Sequence, residues 1–133
     1  MRPQPLFPSQ EVHEWLLIAA SDLRLATLAL EDAPPMVGQC LYHAQQAVEK
    51  ALKAFLVHSD VDFPFTHDIR RLVESCRTVD CHLADDLLPA IDLTQFATRF
   101  RYPGEEQPAI AEAVEWLALA RRSYEIVSGR IRQ

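Results

Sequence analysis

HAQQAVEKALKAF, residues 43–55, carries the reading of the fold. Its apolar positions Ala44, Val48, Ala51 or Leu52, and Phe55 recur in steps of three and four, the period of a helix that buries one face. Val37 and Leu41 extend the same stripe upstream, so a helix is expected from about Met36 to His58. The stretch also holds Lys50 and Lys53, the only lysines among thirteen basic residues. A helix with this concentration of His, Gln and Lys needs an explanation beyond packing.

Working outward, a first helix is expected after Pro8, with Ser9 as its N-cap. Its stripe is Val12, Trp15, Ala19, Leu23, Ala26 and Leu30, and Asp32-Ala33-Pro34-Pro35 stops it because proline cannot continue the hydrogen-bond ladder. Downstream, the loop SDVDFPF leads to Thr66, a cap for a third helix through Ile69, Leu72, Val73 and Cys76, with Asp68 in its first turn. A fourth segment, roughly 83–101, contains Pro89, where a kink or restart is expected. After Tyr102-Pro103-Gly104, a last helix is expected to begin near Glu105–Pro108, with proline in its first turn. Ile110, Ala113, Leu117, Ala120, Tyr124, Val127 and Ile131 form its stripe. Together these predict a single all-α domain over residues 1–133, core about 9–131, built as an antiparallel up-and-down bundle of four to five helices.

The chain has 133 residues, 49% hydrophobic and 24% charged, with only three glycines. That composition fits a soluble helical domain and speaks against a turn-rich β fold. The net charge of −6 repels nucleic acid as a whole, so RNA or DNA binding would need a local patch. Three cysteines without an extracellular cue are expected to be reduced thiols. The first residues lack a signal-peptide core, and no run approaches the ~20 apolar residues of a membrane span. A cytoplasmic location without membrane association is expected.

At ~100° per residue, His43, Gln46, Lys50 and Lys53 fall within roughly 80° of one another, opposite the apolar stripe. Gln45 and Glu49 lie on the flank. Such a column suits an anion, with lysine as a point charge, glutamine as amide donor and histidine as donor or acceptor. The competing reading is a solvated outer face in which Glu49 and Lys53 form an i,i+4 pair. The acid-poor run from Pro34 to Val48 favours a buried or ligand-facing polar seam over interchangeable surface charges.

HAQQAVEKALKAF, followed by THDIRRL and then ATRFRYP before a final helix, closely resembles the HEPN domain family. The likeness includes the first helix, WLLIAASDLRLATLAL, and covers about residues 11–131. It implies an all-α bundle, often a homodimer, that commonly pairs with a minimal nucleotidyltransferase and has an inferred nucleotide- or substrate-binding role. On this resemblance the ligand-binding positions are His43, Gln46, Lys50, His67, Arg99, Arg101 and Tyr102, with Thr66 and Asp68 also matching; no cofactor is implied. His67 also has a plainer role as part of a capping sequence, bonded to a loop carbonyl.

Some branches of the family are metal-independent RNase toxins carrying Arg, four to six residues, then His. Arg77 and His82 fit that spacing, but Ala84 stands where the family's tyrosine would be. A metal site from Cys76, Cys81 and His82 lacks a fourth ligand and a knuckle spacing. Three readings follow: a binding module serving a minimal nucleotidyltransferase, within a toxin–antitoxin pair in one version; an RNase acting on RNA; or a structural dimeric bundle. Leu16, Leu17, Ile18, Leu25 and Leu28 widen the apolar arc of the first helix beyond one core face, so a homodimer is expected.

Overall fold

Helix α2 (Val37–His58) runs through the middle of the bundle in the computed structural model, which describes residues 7–100 and 102–133. The remaining helices are α1 (Pro8–Glu31), α3 (Ile69–Arg77), α4 (Cys81–Leu87) and α5 (Ile110–Ile131), with a 3-10 helix at Leu88–Ala97. No strand occurs among the described residues, so the all-α bundle is as expected.

One stripe understates the burial of α2. Residues 44–49 and 51–56 are all buried, because α1, α3, α5 and the 3-10 helix approach it from several sides. Small side chains allow this. Ala44, Ala47, Ala51 and Ala54 on α2 are fully buried, as are Ala19 and Ala26 on α1. Ala26 and Ala29 form a small cluster with Cys40 and Leu117, bringing α1, α2 and α5 together. Larger groups, among them Leu41, Leu52, Leu56, Leu72, Leu87 and Phe96, fill the main core. Trp116 closes it with an edge contact to Phe96, ring centroids 5.3 Å apart.

Several element ends differ from the sequence expectation by a few residues, each for a local reason. Helix α1 already starts at Pro8, so Ser9 lies inside it; the Gln10 side chain accepts from the Phe7 backbone N–H at 3.3 Å. Helix α3 is capped by Asp68, whose carboxylate accepts from the Arg70 N–H at 3.0 Å; Thr66 instead accepts from the Asp68 N–H. Asp80 caps α4 by accepting from the Leu83 N–H, which starts that helix at Cys81. The expected break at Pro89 is present, since α4 ends at Leu87 and the chain continues as a 3-10 helix with Pro89 in its first turn. Helix α5 begins at Ile110, after an extended Ala109, and leaves Pro108 outside its first turn.

The wide apolar arc of α1 is only partly used. Val12, Ala19, Ala26 and Ala29 face inward, while Leu17, Ile18, Leu25 and Leu28 remain 42–51% exposed. No helix among the described residues is long and apolar enough to cross a membrane.

Because α2 is enclosed by four elements, its large side chains should dominate stability. Leu52→Ala, at a fully buried position, is expected to lower the unfolding free energy by about 3 kcal/mol. Urea titration checks this as a lower midpoint with an unchanged slope.

Candidate functional site

The polar residues of α2 turn toward α1 and the 59–68 connection, where they form two clusters. In the first, Asp22 of α1 meets two side chains of α2. His43 Nδ1 lies 2.9 Å from its Oδ1, and Lys50 Nζ lies 2.8 Å from its Oδ2. Asp22 is buried, while the side chains of His43 and Lys50 keep about a fifth of their surface exposed. Lys50 uses one donor of its ammonium on Asp22. The carboxylate holds the His43 proton at Nδ1, which leaves Nε2 as the free ring nitrogen.

The second cluster centres on Glu49, 2% exposed. Its Oε2 accepts from Lys53 Nζ at 2.8 Å, and its Oε1 meets His67 Nδ1 at 2.8 Å and Gln45 Nε2 at 3.1 Å. Gln45 also donates to the His67 carbonyl, and Gln46 donates to the Gln45 oxygen at 2.7 Å. Burial alone would raise the Glu49 carboxyl. The hydrogen bonds from Lys53 and His67, the Lys53 charge and the Gln45 amide outweigh it and hold the group below the ordinary carboxylate range. The Lys53 ammonium also lies 5.6–6.0 Å from the ring centres of Trp15, Phe63 and Phe65, a desolvated cation against aromatic faces. No buried side-chain nitrogen or oxygen among the described residues lacks a partner.

Four of the sequence-derived positions therefore fall in these clusters, two in each. His43 and Lys50 share Asp22, and Gln46 and His67 join through Gln45 and Glu49. The column lies inside the bundle rather than on a solvated outer face; Gln46 and Lys53 are buried, and His67 alone has more than half its side chain exposed. Gln45 and Glu49, placed on the flank by helical periodicity, are the most enclosed polar groups of all, because a central helix has no outer flank.

Arg99 and Tyr102 belong to a different neighbourhood. Arg99 donates to Gln95, pairs with Glu105 at 3.6 Å and lies against Phe96 and Phe100; Tyr102 is exposed. Among the described residues no hydrogen bond or ion pair joins them to the seam. Arg101 lies outside the described residues. Arg77 donates to Asp85 at 2.8 Å and to Glu74 at 3.1 Å, and His82 is exposed on the next helix. Cys40 and Cys76 are buried, and burial pushes their thiols up to about 11 and about 12; Cys81 is exposed. No group of His, Cys, Asp or Glu among the described residues is arranged to hold a metal ion.

Sequence reasoning missed Asp22. Its signal was present, for it lies three residues after Ala19 and four before Ala26, on the core-facing side of α1. An acid on such a stripe calls for a buried cation across the interface.

Removing the Glu49 charge strands Lys53 in a buried setting. Glu49→Gln is expected to cost about 3 kcal/mol at neutral pH. The folded Glu49 pKa lies below its ordinary 4.5, so the contribution is fully present above 4.5 and disappears as pH falls through the folded value. The gap between wild type and variant should close in that acid range; urea midpoints at pH 7 and at progressively lower pH measure it.

The model of the HEPN domain matches residues 12–130. No curated protein and no solved structure matches the chain. The matched region takes in α2, α3 and α4 whole and most of α1 and α5, with the alanine-lined α1–α2 contact and the polar seam of α2. This chain belongs to the HEPN domain family.

Proposed function

We propose that the chain is a HEPN-type binding module that works as a homodimer and presents a nucleotide or another phosphate-bearing substrate to a minimal nucleotidyltransferase. The pair would act in the cytoplasm, with a toxin–antitoxin arrangement as one version. The observation that carries this reading is the outer face of α1, where Leu17, Ile18, Leu25 and Leu28 remain exposed in the single chain. Soluble monomers seldom expose a contiguous apolar face of this kind, and assembly covers it.

The seam supports the ligand side of the proposal. His43 and Lys50 are held by one buried carboxylate, so the remaining ammonium donors of Lys50 and the His43 ring are ordered before a ligand arrives. His67, held by Glu49 in the second cluster, offers a more exposed nitrogen-bearing side chain on the 59–68 connection. Gln46 is already committed to Gln45, which gives it a positioning role within the seam. Arg99, Arg101 and Tyr102 would act from the segment after the 3-10 helix, as a second contact region.

The ribonuclease reading rests on Arg77 and His82. Its difficulty is electrostatic: the Arg77 guanidinium is shared between Glu74 and Asp85, whose charges oppose a phosphate in the same place. That ordering makes the binding module the better supported of the two.

ATP at millimolar concentration should raise the Tm of the wild type by about 3 °C. Lys50→Ala should remove most of that shift while leaving the helical circular dichroism unchanged. An equal shift in the variant would take Lys50 out of the ligand site.

With RNA in the presence of a chelator, the wild type should cut no faster than Arg77→Ala or His82→Ala. Cleavage lost in both variants would replace the binding module with the nuclease. Gel electrophoresis of a labelled RNA reads the difference directly.

A further inference from the structure

The connection between α2 and α3 is pinned along its length. The Val61 N–H donates to the Leu56 carbonyl at 2.9 Å, and the side chains of Val61 and Phe63 pack on the main core. The His67 carbonyl accepts from Gln45, and its ring meets Glu49, both on α2. Thr66 accepts from the Asp68 N–H, and Thr94 of the 3-10 helix accepts from the Ile69 N–H at 3.0 Å. Phe65 takes the opposite course. Its side chain is fully exposed, the most exposed of the large hydrophobic residues described. Exposure drops at half-buried Thr66 and returns at His67, whose Nδ1 is engaged by Glu49 and whose Nε2 is left over. An aromatic ring on a backbone already held loses little freedom when it is covered, so its burial goes into affinity.

Shape and charge select what covers it. The Phe65 ring projects from the surface, whereas small-molecule sites are concave, so the ring suits a socket on another macromolecule. The charged side chains around it are mostly acidic. Asp60 and Asp62 are exposed on the same connection. Glu11 accepts from the Trp15 indole at 3.3 Å, and Trp15 lies against the same Lys53 ammonium as Phe65. Lys53 itself is neutralised by Glu49, and Arg70 in the first turn of α3 is the exposed cation nearest in sequence. This surplus of carboxylates repels a nucleic-acid backbone and attracts lysine or arginine. A second copy offers the wrong charge, because its open groove at Leu25, Leu28 and Met36 carries Glu31 and Asp32.

We propose that Phe65 anchors a docking surface for a second protein, which receives the ring in an apolar socket rimmed by lysine or arginine. His67 Nε2 supplies a polar contact beside the ring. This rests on the reading above, in which the chain serves a nucleotidyltransferase, and names the surface that meets it. The exposed leucines of α1 take no part and are left to the homodimer.

Calorimetric titration with the minimal nucleotidyltransferase encoded in the same genome tests the surface. Phe65→Ala should raise the dissociation constant roughly thirtyfold. Its Tm should stay at the wild-type value, because the ring buries no surface within the chain. Asp62→Lys should raise the dissociation constant about fivefold, and added salt should weaken the wild type more than this variant. Wild-type affinity in Phe65→Ala overturns the Phe65 surface and leaves the nucleotidyltransferase reading standing. No binding by the wild type overturns both. Single-stranded RNA held by the wild type and released by Phe65→Ala would make the ring a stacking platform and overturn the socket.

Discussion

The Glu49–Lys53 pair, closed in at the centre of α2, sets the terms for the surrounding structure. A carboxylate at 2% exposure is tolerable only when its oxygens are occupied, and here Lys53, His67 and Gln45 occupy them. Each partner brings an element with it. His67 ties the 59–68 connection down onto α2, and Trp15 of α1 and Phe63 of the connection lie against the Lys53 ammonium. The packing and the electrostatics are therefore one arrangement.

Asp22 extends the same logic to the α1–α2 interface. The alanines of α1 let the two backbones approach closely, and in that close contact a single carboxylate engages both His43 and Lys50. The result is an ammonium and an imidazole whose positions are set by a buried anion. A phosphate meeting them encounters ordered donors, but also a neighbouring carboxylate that offsets part of their charge. Recognition at such a place depends on geometry and on enclosure more than on net charge.

Helix α1 serves two surfaces with one sequence. Its alanines are the most deeply buried positions and Leu17, Ile18, Leu25 and Leu28 face outward, while only Val12, Leu23 and Leu30 bring bulk to the core, a partial inversion of the usual allocation. That inversion explains why so thin an interface as alanine on alanine can coexist with an exposed leucine face. It also separates close packing of small side chains within the chain from the apolar area that the single chain leaves exposed.

Much of this was legible in the residues themselves. The three-four rhythm of α1, α2 and α5 and the break at Pro89 are local properties, set by helix period and backbone hydrogen bonding, and they appear in the structure where those rules put them; the caps moved, to Phe7 in place of Ser9 and to Asp68 in place of Thr66. The clustering of His43, Gln46 and Lys50 on one side of α2 is likewise a consequence of 3.6 residues per turn. What periodicity could not supply was the number of neighbours around α2. A wheel divides a helix into an inside and an outside, and a helix enclosed by α1, α3, α5 and the 3-10 helix has no such division, so Gln45 and Glu49 moved from flank to core. The pairing of Asp22 with residues 21 and 28 positions away, and the separation of Arg99 and Tyr102 from the seam, arise only when the chain folds back on itself. Local rules determine where helices lie and which residues share a face; tertiary packing decides which face is buried and which charges meet, because those energies depend on distances that only the closed bundle creates.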